Sequence, residues 1–215
     1  MIFDPITDAI LIISTLLGGS ILILTTNWRL SIGAQFLLSV GTAISLGEWV
    51  NGSVAVMVGV TSGLVCIILF LAAYQAQWRT RLTQARLQFV TPFDQPSFLY
   101  RFLHPTKLFI FVLTLIALLT ALTLAQKYPL LPLSFLASFF VYWLLCVGMF
   151  GLILNQDPLK ICQSLFIVLL GFEIWYLALI ENPNLLRGFS FVQLLLALVS
   201  GYMVVYQGIL PEDRV

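Results

Sequence analysis

Seven stretches of this chain are apolar over nearly the whole length that a helix needs to cross a bilayer, about 20 residues. They run from about Ile6 to Thr26, Ser31 to Leu46, Ser53 to Tyr74, Leu108 to Ala125, Leu130 to Leu154, Leu159 to Ile180 and Phe189 to Tyr206. None alternates as a barrel strand would. In hydrocarbon the backbone must bond within its own segment or in a closed barrel, so continuous runs mean helices. Only 9% of the 215 residues are charged and the mean hydropathy is +1.05. A water-soluble domain carries roughly a quarter charged residues. The expected fold is therefore an all-α polytopic membrane protein of about seven transmembrane helices. A nucleic-acid binder, a disordered chain and a disulfide scaffold are excluded by the same numbers. Cys66, Cys146 and Cys162 lie inside apolar runs and form no C-x-x-C pair, so they read as small hydrophobes.

Orientation follows from the loops, because Lys and Arg stay on the cytoplasmic side. With the N-terminus outside, the inner loops hold Arg29, Arg79, Arg81, Arg86, Arg101, Lys107, Lys160 and Arg214. Only Lys127 and Arg187 fall outside. The prediction is N-out and C-in. Met1 to Asp8 has two Asp and no basic residue, unlike a cleaved signal peptide, so the first helix is expected to stay. Trp28, Trp49 and Trp78 fall at helix ends, where amphipathic rings prefer headgroups. The short link Asn27-Trp28-Arg29-Leu30 predicts an antiparallel hairpin of the first two spans.

The organisation reads as an N-terminal three-helix segment (1–74), a basic cytoplasmic loop (75–106), helices four and five (107–154) and an overlapping three-helix unit (130–207). In the loop, Trp78, Leu82, Ala85 and Phe89 fall on one helical stripe and Arg79, Arg81 and Arg86 elsewhere. That pattern suits an amphipathic helix in the cytoplasmic interface, ended by Pro92 and Pro96. Two readings fit it: a docking surface for a cytoplasmic partner through the three arginines, or a loop held by anionic lipid. Small residues recur at Gly59 and Gly63, at Ser39, Ala43 and Gly47, and at Ser134 and Ser138, spacings that favour close helix packing.

Little in the chain carries chemistry of its own. His104 is the single histidine, and no second ligand stands near it. No metal site, cofactor, phosphate loop or catalytic triad is expected, and no catalytic site of the chain's own. One residue breaks the pattern. Glu173, in Leu169-Leu-Gly-Phe-Glu-Ile-Trp-Tyr-Leu177, sits about 5 Å from the centre of the sixth span at 1.5 Å per residue. A charge there costs roughly 2–3 kcal/mol on insertion scales, so such carboxylates face a bundle interior or a water path. It reads as a proton-path residue or as a hydrogen bond between helices. Gln35, Asn155 and Gln193 are weaker members of the same candidate path. Asp157-Pro158 is an ordinary helix start, an Asp N-cap followed by Pro.

Gly151-Leu-Ile-Leu-Asn155, Asp157-Pro-Leu-Lys160 and the following helix with Gly171 resemble the three-helix 4L-type subunit of NADH:quinone oxidoreductase. They also resemble the C-type subunit of multisubunit cation/proton antiporters. With four helices in front, the layout is similar to the E component of membrane-bound group 4 hydrogenases. Asn27-Trp-Arg-Leu-Ser-Ile-Gly33 resembles its Arg-Leu-x-x-Gly turn. The resemblance implies a membrane subunit of a redox-driven or antiporter-like complex that translocates protons or sodium, packed between larger channel subunits. It implies a bacterial inner or thylakoid-type membrane, with lipid and other membrane subunits as partners and no nucleic acid. Two positions depart from the pattern. Phe166 stands where the 4L-type subunit has its first carboxylate, with Glu173 about 10 Å further along the helix. The last span has Gln193 and no acid, so a two-carboxylate relay inside this subunit is not expected. A structural or assembly subunit, and a stand-alone carrier or lipid/quinone-binding protein, remain as other readings.

Overall fold

The structure, a computed structural model, describes residues 5–25, 27–49, 52–87, 105–130, 133–155, 157–179 and 183–207. Seven helices account for nearly all of these: α1 (Pro5–Leu24), α2 (Trp28–Trp49), α3 (Gly52–Leu87), α4 (Pro105–Lys127), α5 (Phe135–Leu154), α6 (Pro158–Leu179) and α7 (Pro183–Gln207). No strand occurs among the described residues. Among the described residues five helices are long and apolar enough to cross a membrane: α3 over Gly52–Gln77, α4, α5, α6 and α7. The 22 residues of α2 extend about 33 Å, and α1 contributes the apolar stretch Ser14–Ile23. The chain is an integral membrane protein of the helical class.

Local chemistry sets the helix ends. Asn27 caps α2: its Oδ1 accepts the Arg29 N–H at 3.2 Å and its carbonyl accepts the Ser31 N–H at 3.0 Å. The second span therefore starts at Trp28, a turn earlier than its apolar run. The fifth starts later, at Phe135, because Ser134 is its N-cap and accepts the Ala137 N–H at 3.2 Å. Ser138 Oγ accepts the Leu130 N–H at 3.1 Å and folds the preceding turn back onto the helix. These two serines thus serve the turn. Asp157 caps α6 as expected, with Oδ1 accepting the Leu159 N–H at 3.1 Å.

The third helix does not stop at the end of its apolar run. It continues unbroken through Arg79, Arg81 and Arg86 to Leu87. At 36 residues it is about 54 Å long, against a hydrocarbon core of about 30 Å. The amphipathic segment is thus an extension of α3, where a separate helix turned into the interface was expected. Its side chains from Trp78 onward, and everything from Gln88 to His104, lie outside the described residues.

The helices form a ring. Neighbours run α1–α2–α3–α7–α6–α5 and back to α1, with α4 outside against α5 and α1. Across the ring α2 meets α6, dividing it into two four-helix compartments. The core of the α1–α2–α6–α5 compartment is packed by Leu22, Leu38, Phe140, Trp143, Leu144 and Ile167. Lipid tails are as apolar as these side chains, so close approach and hydrogen bonds must hold the helices together. Between α5 and α6 that approach is extreme. A Cβ on Gly148 would lie 2.9 Å from the Ser164 carbonyl oxygen and from the Val168 nitrogen, both backbone atoms of α6. On α2 and α3, Gly47 faces Ala55 and Gly59 faces Ala43, as the small-residue spacing predicts. A Cβ on Gly63 would meet nothing within 4 Å.

Candidate functional site

The second compartment, between α2, α3, α7 and α6, is where polar side chains collect. Its lower half is an apolar cluster that includes Val65, Cys66, Leu69, Cys162 and Phe166. The helix registers then bring polar groups together above and beside that cluster. Gln193 Nε2 donates from α7 to Glu173 Oε2 on α6 at 2.7 Å. Both residues are buried, Glu173 to 1% exposure. Glu173 Oε1 is buried and has no hydrogen-bond partner among the described residues.

Beside Gln193 lies a cavity of about 20 Å³, lined by Gln35, Ser39, Ser62, Gln193, Phe166 and Leu170 among others. A water needs roughly 10–15 Å³ of such space, so one fits. Gln35 is buried at its edge, and Gln35 Oε1 likewise has no partner among the described residues. A buried unpartnered polar atom costs about 1–3 kcal/mol. A water in the cavity offers the bonds that would offset it.

Further along α6 toward its N-terminus, Ser31 Oγ donates to Gln163 Oε1 at 2.6 Å, tying α2 to α6. Gln163 is fully buried, and its Nε2 is another unpartnered donor among the described residues. At the helix start the buried Lys160 Nζ donates to the Thr25 carbonyl at the end of α1. A cation there complements the partial negative charge of a helix C-terminus. On α7, Ser190 lies one turn before Gln193 on the same face, and its buried hydroxyl is unpartnered among the described residues. Lys160, Gln163, Ile167 and Leu170 lie on one side of α6, and Glu173, about 20 Å along from Lys160, is turned further round the helix toward α7.

Three of the four candidate path residues therefore meet in one compartment: Glu173, Gln193 and Gln35. Asn155 stands apart. It caps α5, its Nδ2 donating to the Gly151 carbonyl at 2.8 Å. Arg79, Arg81 and Arg86 lie on the α3 extension, with side chains outside the described residues. From the sequence Lys160 reads as an inner-loop charge and as part of the Asp157-Pro-Leu-Lys160 motif, and no polar role falls to Gln163 or Ser31. The three-residue spacing that puts Lys160 and Gln163 on one side of α6 is the signal the sequence offers. Phe166 lines the cavity. Cys66 and Cys162 are buried free thiols and Cys146 is half-buried. Among the described residues no group of His, Cys, Asp and Glu could hold a metal ion. No protein-family model, curated protein or solved structure matches the chain.

Proposed function

We propose that this chain is a membrane subunit of a multisubunit cation-translocating complex, redox-driven or antiporter-like, and that Glu173 is a proton-path residue within it. One observation carries the reading: the Glu173 carboxyl faces the bundle interior with one oxygen on Gln193 and the other without a partner among the described residues. An acid so placed exchanges a proton only through neighbouring polar groups or water. The Gln35 cavity and the Gln163–Ser31 pair supply such groups on the side of Lys160. The orientation is N-out and C-in in a bacterial inner or thylakoid-type membrane, which puts Lys160 at the cytoplasmic end. The resemblance of the last three helices to the 4L-type and antiporter C-type subunits points the same way.

The size of the inner cavity weighs against a carrier whose path runs through the Glu173 compartment. About 20 Å³ holds no organic substrate, since ligand pockets measure roughly 300–1,000 Å³. A purely structural subunit is the second reading, favoured by the direct Gln193–Glu173 bond, which clamps α7 to α6 whether or not a proton moves.

The subunit reading is tested by purifying the tagged chain from its native membrane, identifying its companions and reconstituting the assembly in vesicles. Large membrane subunits and driven uptake of protons or sodium are expected. A chain that purifies alone from mild detergent would contradict the reading.

A further inference from the structure

A second cavity lies on the outer face of the bundle, between α2 and α3. It is an open groove of about 390 Å³, lined by Arg29, Gly33 and Phe36 of α2 and by Gly63, Ile67 and Phe70 of α3 among others. Its volume falls within the range of small-molecule sites, roughly 300–1,000 Å³. Its walls are almost wholly apolar, and Arg29 is the one charge among its lining residues. From Arg29 to Phe36 the groove follows α2 for about 10 Å.

The glycines make this groove. A Cβ on Gly33 or on Gly63 would meet nothing within 4 Å, so neither residue serves helix contact. Neither has the positive φ that would require glycine. Glycine in a helix interior is unfavourable relative to alanine, and what the missing side chains supply here is room. At the other end the cation is held in place. Arg29 Cζ lies 5.3 Å from the centre of the Trp28 ring, and Trp28 packs on Phe70 of α3 with centroids 5.5 Å apart. Tryptophan and arginine in the first turn of a spanning helix belong at headgroup depth.

We propose that this groove binds one anionic phospholipid, its phosphate at Arg29 and the first part of an acyl chain lying over Gly33 and Gly63. A ligand that fits must be negative at one end and apolar along the rest, and it must reach the groove from the side. A membrane lipid meets all three conditions. The proposal stands apart from Glu173: the groove opens outward between α2 and α3, and its lining shares no residue with the inner cavity.

The test is native mass spectrometry of the delipidated full chain, offered equal amounts of phosphatidylglycerol and phosphatidylcholine with the same acyl chains. One phosphatidylglycerol should be retained, preferred roughly fivefold, the size of one Arg–anionic lipid interaction. R29Q should abolish the preference. G33L and G63L, each at a position where an added Cβ meets nothing within 4 Å, put a side chain into the groove and should each lose the bound lipid. G188L, at another glycine with open space around it, should retain it as the wild type does. Undiminished retention by both G33L and G63L would overturn the groove assignment. Equal retention of the two lipids by the wild type would overturn the anionic headgroup.

Discussion

Gln193 Nε2 stands 2.7 Å from Glu173 Oε2, so the one acid near the middle of a spanning helix is bonded to the most polar side chain of the run Phe189–Tyr206 in the next. Hydrogen bonds between membrane helices average about 0.6 kcal/mol and reach about 1.7. Q193L should therefore lower stability by roughly 1 kcal/mol in unfolding from mixed detergent. In the cycle with E173L the double variant should lose less than the sum of the singles, because the two residues share one bond. Additive losses would show that the pair contributes no coupling.

Gln35 should behave in the opposite way. Its Oε1 is buried without a partner among the described residues, so Q35L removes an unsatisfied group and fills the cavity. Thermal stability should be unchanged or higher while cation translocation by the assembled complex falls severalfold. A variant as active as the wild type would remove Gln35 from the path.

The helices were legible because runs of apolar residues announce themselves, whereas their ends were set by groups that hydropathy does not see. Asn27 and Ser134 moved two helix starts through single side-chain bonds. Tyr74 ended the third apolar run, yet Gln75 to Leu87 contains no Gly or Pro and is rich in Ala, Gln, Arg and Leu, so the backbone kept its helix. Glu173, Gln193 and Gln35 could be named from the sequence as polar residues in spans. Their convergence could not, since it depends on the registers of four helices, fixed by contacts such as Ser31–Gln163 and Gly59–Ala43. Asn155 looked equivalent until its carboxamide proved to cap α5.

Two glycine substitutions separate packing from mere composition. G148A drives a methyl group into the α6 backbone at Ser164 and Val168, and should destabilise by about 1–3 kcal/mol, the usual range for overpacking. G63A meets open space and should be neutral or stabilising by up to about 1 kcal/mol. Unfolding of the two variants side by side in one detergent checks both. Equal melting temperatures would mean that α5 and α6 are not in backbone contact.

For the extension of α3, replacing Arg79, Arg81 and Arg86 together by Ser should reduce retention of a cytoplasmic partner more than it reduces membrane insertion. Co-purification, compared with the yield of inserted protein, reads both quantities. Unchanged retention would assign the arginines to anionic lipid.

The most direct measurement is cation translocation by the native complex carrying E173Q, with the assembled complex quantified in the same membranes. Gln keeps the shape and a hydrogen bond to Gln193 while removing the ionisable group. With the complex intact, translocation should fall by roughly a hundredfold, the scale of losing a positioned proton-transfer group. Full translocation by an intact E173Q complex would contradict the relay, and Glu173 would be a helix clamp.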